Sequence, residues 1–168
     1  MPRSCSVVSL LILCSWILVS CGEIRPLWKG TSKLEGFTMY YSEPCEYLMD
    51  LSHLPGPVEA FLELEITYYV GTNRTNVPLF LVLENKQHDL KEHTTNVILK
   101  ADGEWVGIPA ENEIDYSLSH IAIPYLRLQP DEYVLRVYAN DDDAERLYGI
   151  VEIAARLFET QAEAEASQ

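Results

Sequence analysis

Between Ala60 and Val70 the chain alternates without a break. Leu62, Leu64, Ile66, Tyr68 and Val70 fall on one side of an extended backbone, and Glu63, Glu65 and Thr67 fall on the other. A period of two is the signature of a strand with one buried and one solvated face, because successive side chains point opposite ways. Such a strand belongs to an antiparallel sheet packed on a core. Gly71-Thr72-Asn73 ends the pattern.

Similar signals continue along the chain. Val77 to Leu83 is nearly continuous apolar, as in a central strand, with Pro78 near its start where a missing N–H is tolerated. Thr94 to Lys100 alternates through Thr95, Val97 and Leu99. Asp102-Gly103 and Gly107 bracket Trp105, which predicts a turn and a bulge around a large ring. Ile114 to Leu128 is β-rich, with Pro124 set to kink or divide it. Tyr133, Leu135, Val137 and Ala139 share one face of a further strand, and Val151, Ile153, Ala155 and Leu157 one face of the last. Pro130-Asp131-Glu132-Tyr133 looks like the corner of a sandwich, where a Tyr hydroxyl bonds back to the chain across an arch. The expected fold is all-β, an antiparallel β-sandwich of immunoglobulin-like or jelly-roll-like type with about seven or eight strands.

The N-terminus carries a different message. Val7 to Val19 is almost wholly apolar behind a single charge, Arg3. It is shorter than the ~20 residues that span a bilayer and has no charged stop-transfer flank, so residues 1–20 read as a signal peptide. Leu18-Val19-Ser20-Cys21 matches the lipobox of bacterial lipoproteins. That resemblance implies diacylglycerol on the Cys21 thiol, cleavage before Cys21 and acylation of the new amino group; a thiolate is the nucleophile such a transfer needs. The rival is ordinary secretion, with Cys21 free to pair with Cys45 in an oxidising compartment. Asn73-Arg74-Thr75 is a formal glycosylation sequon that would suit this rival. With Cys21 acylated, Cys45 is expected as a small residue packed under a loop. Residues 21–34, without periodicity, read as a tether, residues 35–158 as the β-sandwich domain, and residues 159–168, which lack large apolar side chains, as a disordered acidic tail.

Charge narrows the partners. The chain holds 26 Asp and Glu against 12 Lys and Arg, a formal net charge of −14. Phosphate would be repelled, so nucleic acid is not an expected partner. Candidate chemistry is sparse. His88 and His93 flank Asp89 and Glu92, but His-x-x-x-Glu-His is neither zinc-helix spacing, so the segment reads as a solvated hairpin loop. Asp141-Asp142-Asp143 lacks the alternating ligands and the Gly of a calcium loop and reads as a charged hairpin tip. Glu63 and Glu65 could serve as paired catalytic carboxylates, although alternation alone explains them. His53 and His120 stand singly, and each is expected as a satisfied, partly buried histidine. The sequence contains no Gly-x-Ser-x-Gly and no phosphate loop. Neither a catalytic residue nor a metal or cofactor is therefore assigned. Trp105 is the candidate contact for a partner or a glycan, with Tyr40-Tyr41 and Tyr68-Tyr69 as further aromatic pairs.

Five pieces in order complete a pattern: the lipobox Cys21; Asn76-Val77-Pro78-Leu79-Phe80-Leu81-Val82-Leu83; Ala101-Asp102-Gly103-Glu104-Trp105-Val106-Gly107; Leu128-Gln129-Pro130-Asp131-Glu132-Tyr133; and Leu147-Tyr148-Gly149-Ile150-Val151-Glu152-Ile153. In this order the chain resembles the GldH gliding-motility lipoprotein family of Bacteroidetes. The resemblance implies a small all-β lipoprotein associated with gliding and secretion machinery, and it supplies no catalytic residues. The functional expectation is a non-enzymatic envelope component held by lipid on Cys21, at either membrane's periplasmic face or the cell surface, with envelope proteins as partners. The alternative is a carbohydrate-binding surface lipoprotein.

Overall fold

The computed structural model describes residues 24–111, 114–140 and 146–160. The signal peptide, Cys21, Asp141-Asp142-Asp143 and residues 161–168 of the tail lie outside the described residues. The chain runs through β1 (Trp28–Lys33), β2 (Thr38–Tyr40), β3 (Cys45–Asp50), β4 (Val58–Tyr69), β5 (Asn76–Asn85) and β6 (Leu90–Ile98). Three two-residue strands follow, β7 (Lys100–Ala101), β8 (Glu104–Trp105) and β9 (Ile108–Pro109). Then come β10 (Asp115–Leu128), β11 (Glu132–Ala139), β12 (Arg146–Tyr148) and β13 (Ile150–Glu159).

Eight described strands have six residues or more, and their pairing is nested. The first pairs with the last (β1 with β13) and the second with the seventh (β3 with β11). The third pairs with the sixth (β4 with β10) and the fourth with the fifth (β5 with β6). Every pair is antiparallel, so the chain is one long hairpin. Two further pairings, β13 with β4 and β11 with β5, roll that hairpin into two sheets. Their orders are β1-β13-β4-β10-β9 and β3-β11-β5-β6. This is the strand order of a jelly roll, not of an immunoglobulin domain.

The alternation explains the core. Leu62, Leu64, Ile66 and Tyr68 of β4 are fully buried and face Leu79, Leu81 and Leu83 of β5 together with Leu135 and Val137 of β11. Each such side chain contributes about 1.5–3 kcal/mol when removed from water. The hairpin closes at Lys86–Asp89. There the Asn85 side chain accepts the backbone N–H groups of Gln87 at 3.0 Å and Asp89 at 2.9 Å, and His88 takes φ +64°. The sandwich corner forms as expected. The Tyr133 hydroxyl donates to the carbonyl of Gln129 at 3.1 Å and accepts the Gln129 N–H at 3.0 Å. Asp102 and Gly103, at φ +50° and +88°, make the two-residue turn between β7 and β8.

Several expectations need correction. The tether read over residues 21–34 becomes an edge strand from Trp28. After Trp28, β1 carries little inward bulk: a Cβ on Gly30 would lie 2.7 Å from the Trp28 ring and 2.9 Å from that of Tyr47. Neighbouring rings fill the space, so no apolar alternation marks the strand. Two residues read as tail belong to the fold, since Glu159 ends β13 and the Thr160 N–H donates to the carbonyl of Glu59 at 2.8 Å. In β13 it is Ile150, not Val151, that points inward, because the register against β4 shifts between Ile150 and Glu152. Pro124 does not divide β10. It sits in an irregular stretch between Ile123 and Leu126, where Ala122 and Ile123 are both buried.

Replacing Tyr133 by Phe removes both corner hydrogen bonds and leaves the ring in place. A loss of about 1–2 kcal/mol in unfolding free energy, measured by urea denaturation with unchanged β circular dichroism, is expected.

Candidate functional site

The two sheets turn different faces to solvent. On the β4–β13 face charged side chains share the outward positions with the stacked rings of Phe61 and Phe158, cross-strand partners 5.2 Å apart. Arg156 donates to Glu63 at 3.5 Å and is paired with Glu65, Lys33 lies 3.9 Å from Glu152, and the Thr67 and Ser117 hydroxyls are 2.8 Å apart. The two carboxylates that sequence spacing offered for acid–base work are thus held by one guanidinium across the strand pair. That arrangement is ordinary cross-strand charge pairing.

The outer face of β3-β11-β5-β6 carries a broader apolar patch. Leu48 is 76% exposed, and Val134, Val82, Phe80 and Tyr138 form a half-buried patch beside it. One charged network crosses this patch. Arg136 donates to Glu46 at 2.8 Å and to Glu84 at 2.7 Å, and His88 Nδ1 lies 2.6 Å from Glu84. Hydrogen bonds from Arg136 and then His88 hold the Glu84 carboxyl below the usual carboxylate range. The network ties β3, β11 and β5 together across the sheet.

Two depressions open on this face. Near the β5–β6 turn a groove of about 700 Å³ is floored by Leu48, Val134 and Arg136 and rimmed by Lys86, His88 and Glu132. Further along, a pocket of about 450 Å³ is lined by Tyr41, Ser42, Phe80, Val82, Tyr138, Ala139 and Asn140. Phe80 and Tyr138 are direct cross-strand partners, with ring centroids 6.1 Å apart at 41°. Tyr41, 49% exposed, stands at the end of the pair on the segment that follows β2.

Trp105 is placed differently. Its ring is half-buried against the core, 5.7 Å from the Tyr68 ring, and Lys100 Nζ sits 4.8 Å from its centroid. The buried Tyr68 hydroxyl donates to the carbonyls of Leu99 at 3.1 Å and Val106 at 2.5 Å, anchoring the β7–β8 hairpin over the end of the sandwich. Trp105 packs that flap, with its ring in contact with Tyr68 and Lys100. Tyr68 is core, while Tyr40 is exposed. The aromatics that line a depression of the surface together are Tyr41, Phe80 and Tyr138. Phe80 was legible only as part of an apolar run, and Tyr138 gave no signal of its own. The hint was that Phe80, Val82, Val134 and Tyr138 occupy the outward positions of strands whose inward positions are already apolar.

The remaining candidates separate. His88 sits in the hairpin turn and His93 on β6, half-buried. Among the described residues no cluster of three or more His, Cys, Asp or Glu is arranged to hold a metal ion. His53 is exposed in the β3–β4 loop rather than partly buried, because the loop lies outside both sheets. His120 is half-buried, with Nε2 2.6 Å from Thr95 Oγ1, and burial lowers its pKa. Cys45 is 5% exposed and faces the core from a strand, not from under a loop. Burial pushes its thiol pKa up, against a hydrogen bond from Ser32.

Neither a protein-family model nor a curated protein matches the sequence. Among solved structures the Yersinia pseudotuberculosis-derived mitogen is similar, with 6% identity over 84% of this chain and 92% of that one, at a TM-score of 0.34. The structure of Cocksfoot mottle virus aligns over 81% of this chain and 84% of that one, with 10% identity and a TM-score of 0.26. The jelly-roll assignment rests on the strand pairing within this chain.

Two outcomes follow from the buried groups. Because burial both shields Cys45 and disfavours its thiolate, iodoacetamide at pH 8 is expected to leave Cys45 unmodified in the native protein and to alkylate it in urea, as peptide mass mapping will report. His120 has a folded pKa below its unfolded value, so the unfolded state binds the proton more readily. Its contribution is complete above about pH 6.5 and is lost as pH falls towards the folded value. Unfolding free energy measured from pH 8 to pH 5 should fall less steeply for His120→Gln than for the parent.

Proposed function

We propose that the chain is a lipid-anchored, non-enzymatic component of the bacterial cell envelope that works beside gliding-motility and protein-secretion machinery. One observation carries this reading: Leu18-Val19-Ser20-Cys21 closes the apolar run from Val7 to Val19. The resemblance in the order of motifs to the GldH family supports the choice of machinery.

The geometry of the domain suits a short anchor. Six residues, 22–27, separate Cys21 from β1. At full extension that spacer reaches at most about 25 Å, so lipid on Cys21 would keep the sandwich beside the membrane rather than at the end of a long stalk. Each buried CH₂ contributes ~0.8 kcal/mol, and two or more acyl chains anchor stably where one does not. Anchoring confines the domain to a surface and raises its effective concentration near other envelope proteins.

Intact-mass analysis of the mature protein should find an N-terminus at Cys21 that carries acylglycerol and an N-acyl chain. Cys21→Ala should move from the membrane pellet to the soluble fraction after a high-salt wash, which strips proteins held only by charge. A bare Cys21 thiol, or a Cys21→Ala protein that stays in the washed pellet, contradicts the reading.

A further inference from the structure

We propose that the pocket between Tyr41, Phe80 and Tyr138 binds a neutral glycan. The pocket combines three properties. Its floor is a pair of aromatic rings in register across β5 and β11, with Val82 beside them. Its rim carries the Tyr41 and Tyr138 hydroxyls, the Ser42 hydroxyl and the Asn140 amide. Among the described residues none is a hydrogen-bond partner of these four polar groups. Finally, among the described residues the lining carries no charged side chain, in a protein of net charge −14.

Each property excludes a class of ligand. An anion would find no cation among the described lining residues and a repelling field around it. An apolar side chain from a partner protein would cover the rings but strand the hydroxyl and amide groups without partners. A sugar meets both demands. The C–H face of a pyranose ring is apolar and stacks on an aromatic face, while its hydroxyls point outward to donors and acceptors at the rim. The volume of about 450 Å³ lies within the ~300–1,000 Å³ usual for small-ligand sites. Trp105, which sequence alone suggested for this role, is committed to the flap against Tyr68. Binding here does not depend on lipid at Cys21, so this proposal and the anchoring proposal fail separately.

The test is native affinity electrophoresis of the full-length protein in a polyoxyethylene detergent, chosen because it contains no sugar. Gels carry xylan, mannan, laminarin or dextran, with alginate as the charged control. Retardation by at least one neutral polysaccharide and not by alginate is expected. Tyr41→Ala and Tyr138→Ala should each weaken it by about tenfold, and Trp105→Phe should leave it unchanged. Tyr41 lies in an exposed segment outside the sheets, so Tyr41→Ala carries the test if Tyr138→Ala does not fold. Three results overturn the proposal. They are no retardation of folded protein by any neutral polysaccharide, equal retardation of parent and Tyr41→Ala, or retardation by alginate as strong as by the neutral polymers.

Discussion

The structure depends on the burial of one face of β4. Leu62, Leu64, Ile66 and Tyr68 are fully enclosed, and their strand is hydrogen-bonded to β10 on one side and β13 on the other. A one-residue slip would turn Glu63, Glu65 and Thr67 into the core and expose Leu62, Leu64, Ile66 and Tyr68, so the register is stringently specified. Once β4 is set, its two neighbours are set, and the nested pairing brings the remaining strands into place. The irregularities in β10 and at Ile150 fall on strands flanking β4, which itself runs unbroken from Val58 to Tyr69. The partners bend to fit the strand that cannot move.

The same alternation leaves the two outer faces unequal. The face built on β4 and β13 carries cross-strand ion pairs and hydroxyls, with the stacked Phe61–Phe158 pair as its aromatic element. The face built on β5 and β11 spends its outward positions on Phe80, Val82, Val134 and Tyr138, with Arg136 braced between Glu46 and Glu84. Large rings open to water add nothing to the interior core. Their arrangement in register, beside polar groups with no internal partner, is what makes this face the place to look for recognition.

Much of the fold was legible because one-sided burial writes a period of two into β4, β11 and most of β13. The corner at Tyr133 was legible because its chemistry is local: the hydroxyl and the arch it spans are four residues apart. β1 was not, because its inward positions are Trp28, Gly30 and Ser32 and the rings of Trp28 and Tyr47 occupy the space a side chain would fill. The nested pairing was beyond reach for the same reason that contacts between the first and last strands always are, since nothing in Trp28–Lys33 names Glu152–Leu157 as its partner. At the site, Trp105 drew attention as the conspicuous ring between glycines, whereas the open rings were hidden in apolar runs. Their exposure follows from which strand faces outward, a property of the assembled sheets.

The nested hairpin begins and ends together. Leu27 donates its N–H to the carbonyl of Leu157, and Thr160 closes against Glu59, so the two chain ends leave the domain side by side. Tension applied between those ends would peel β1 from β13 rung by rung, the geometry in which a ladder offers least mechanical resistance. A domain strung this way yields readily when tugged by its own two ends.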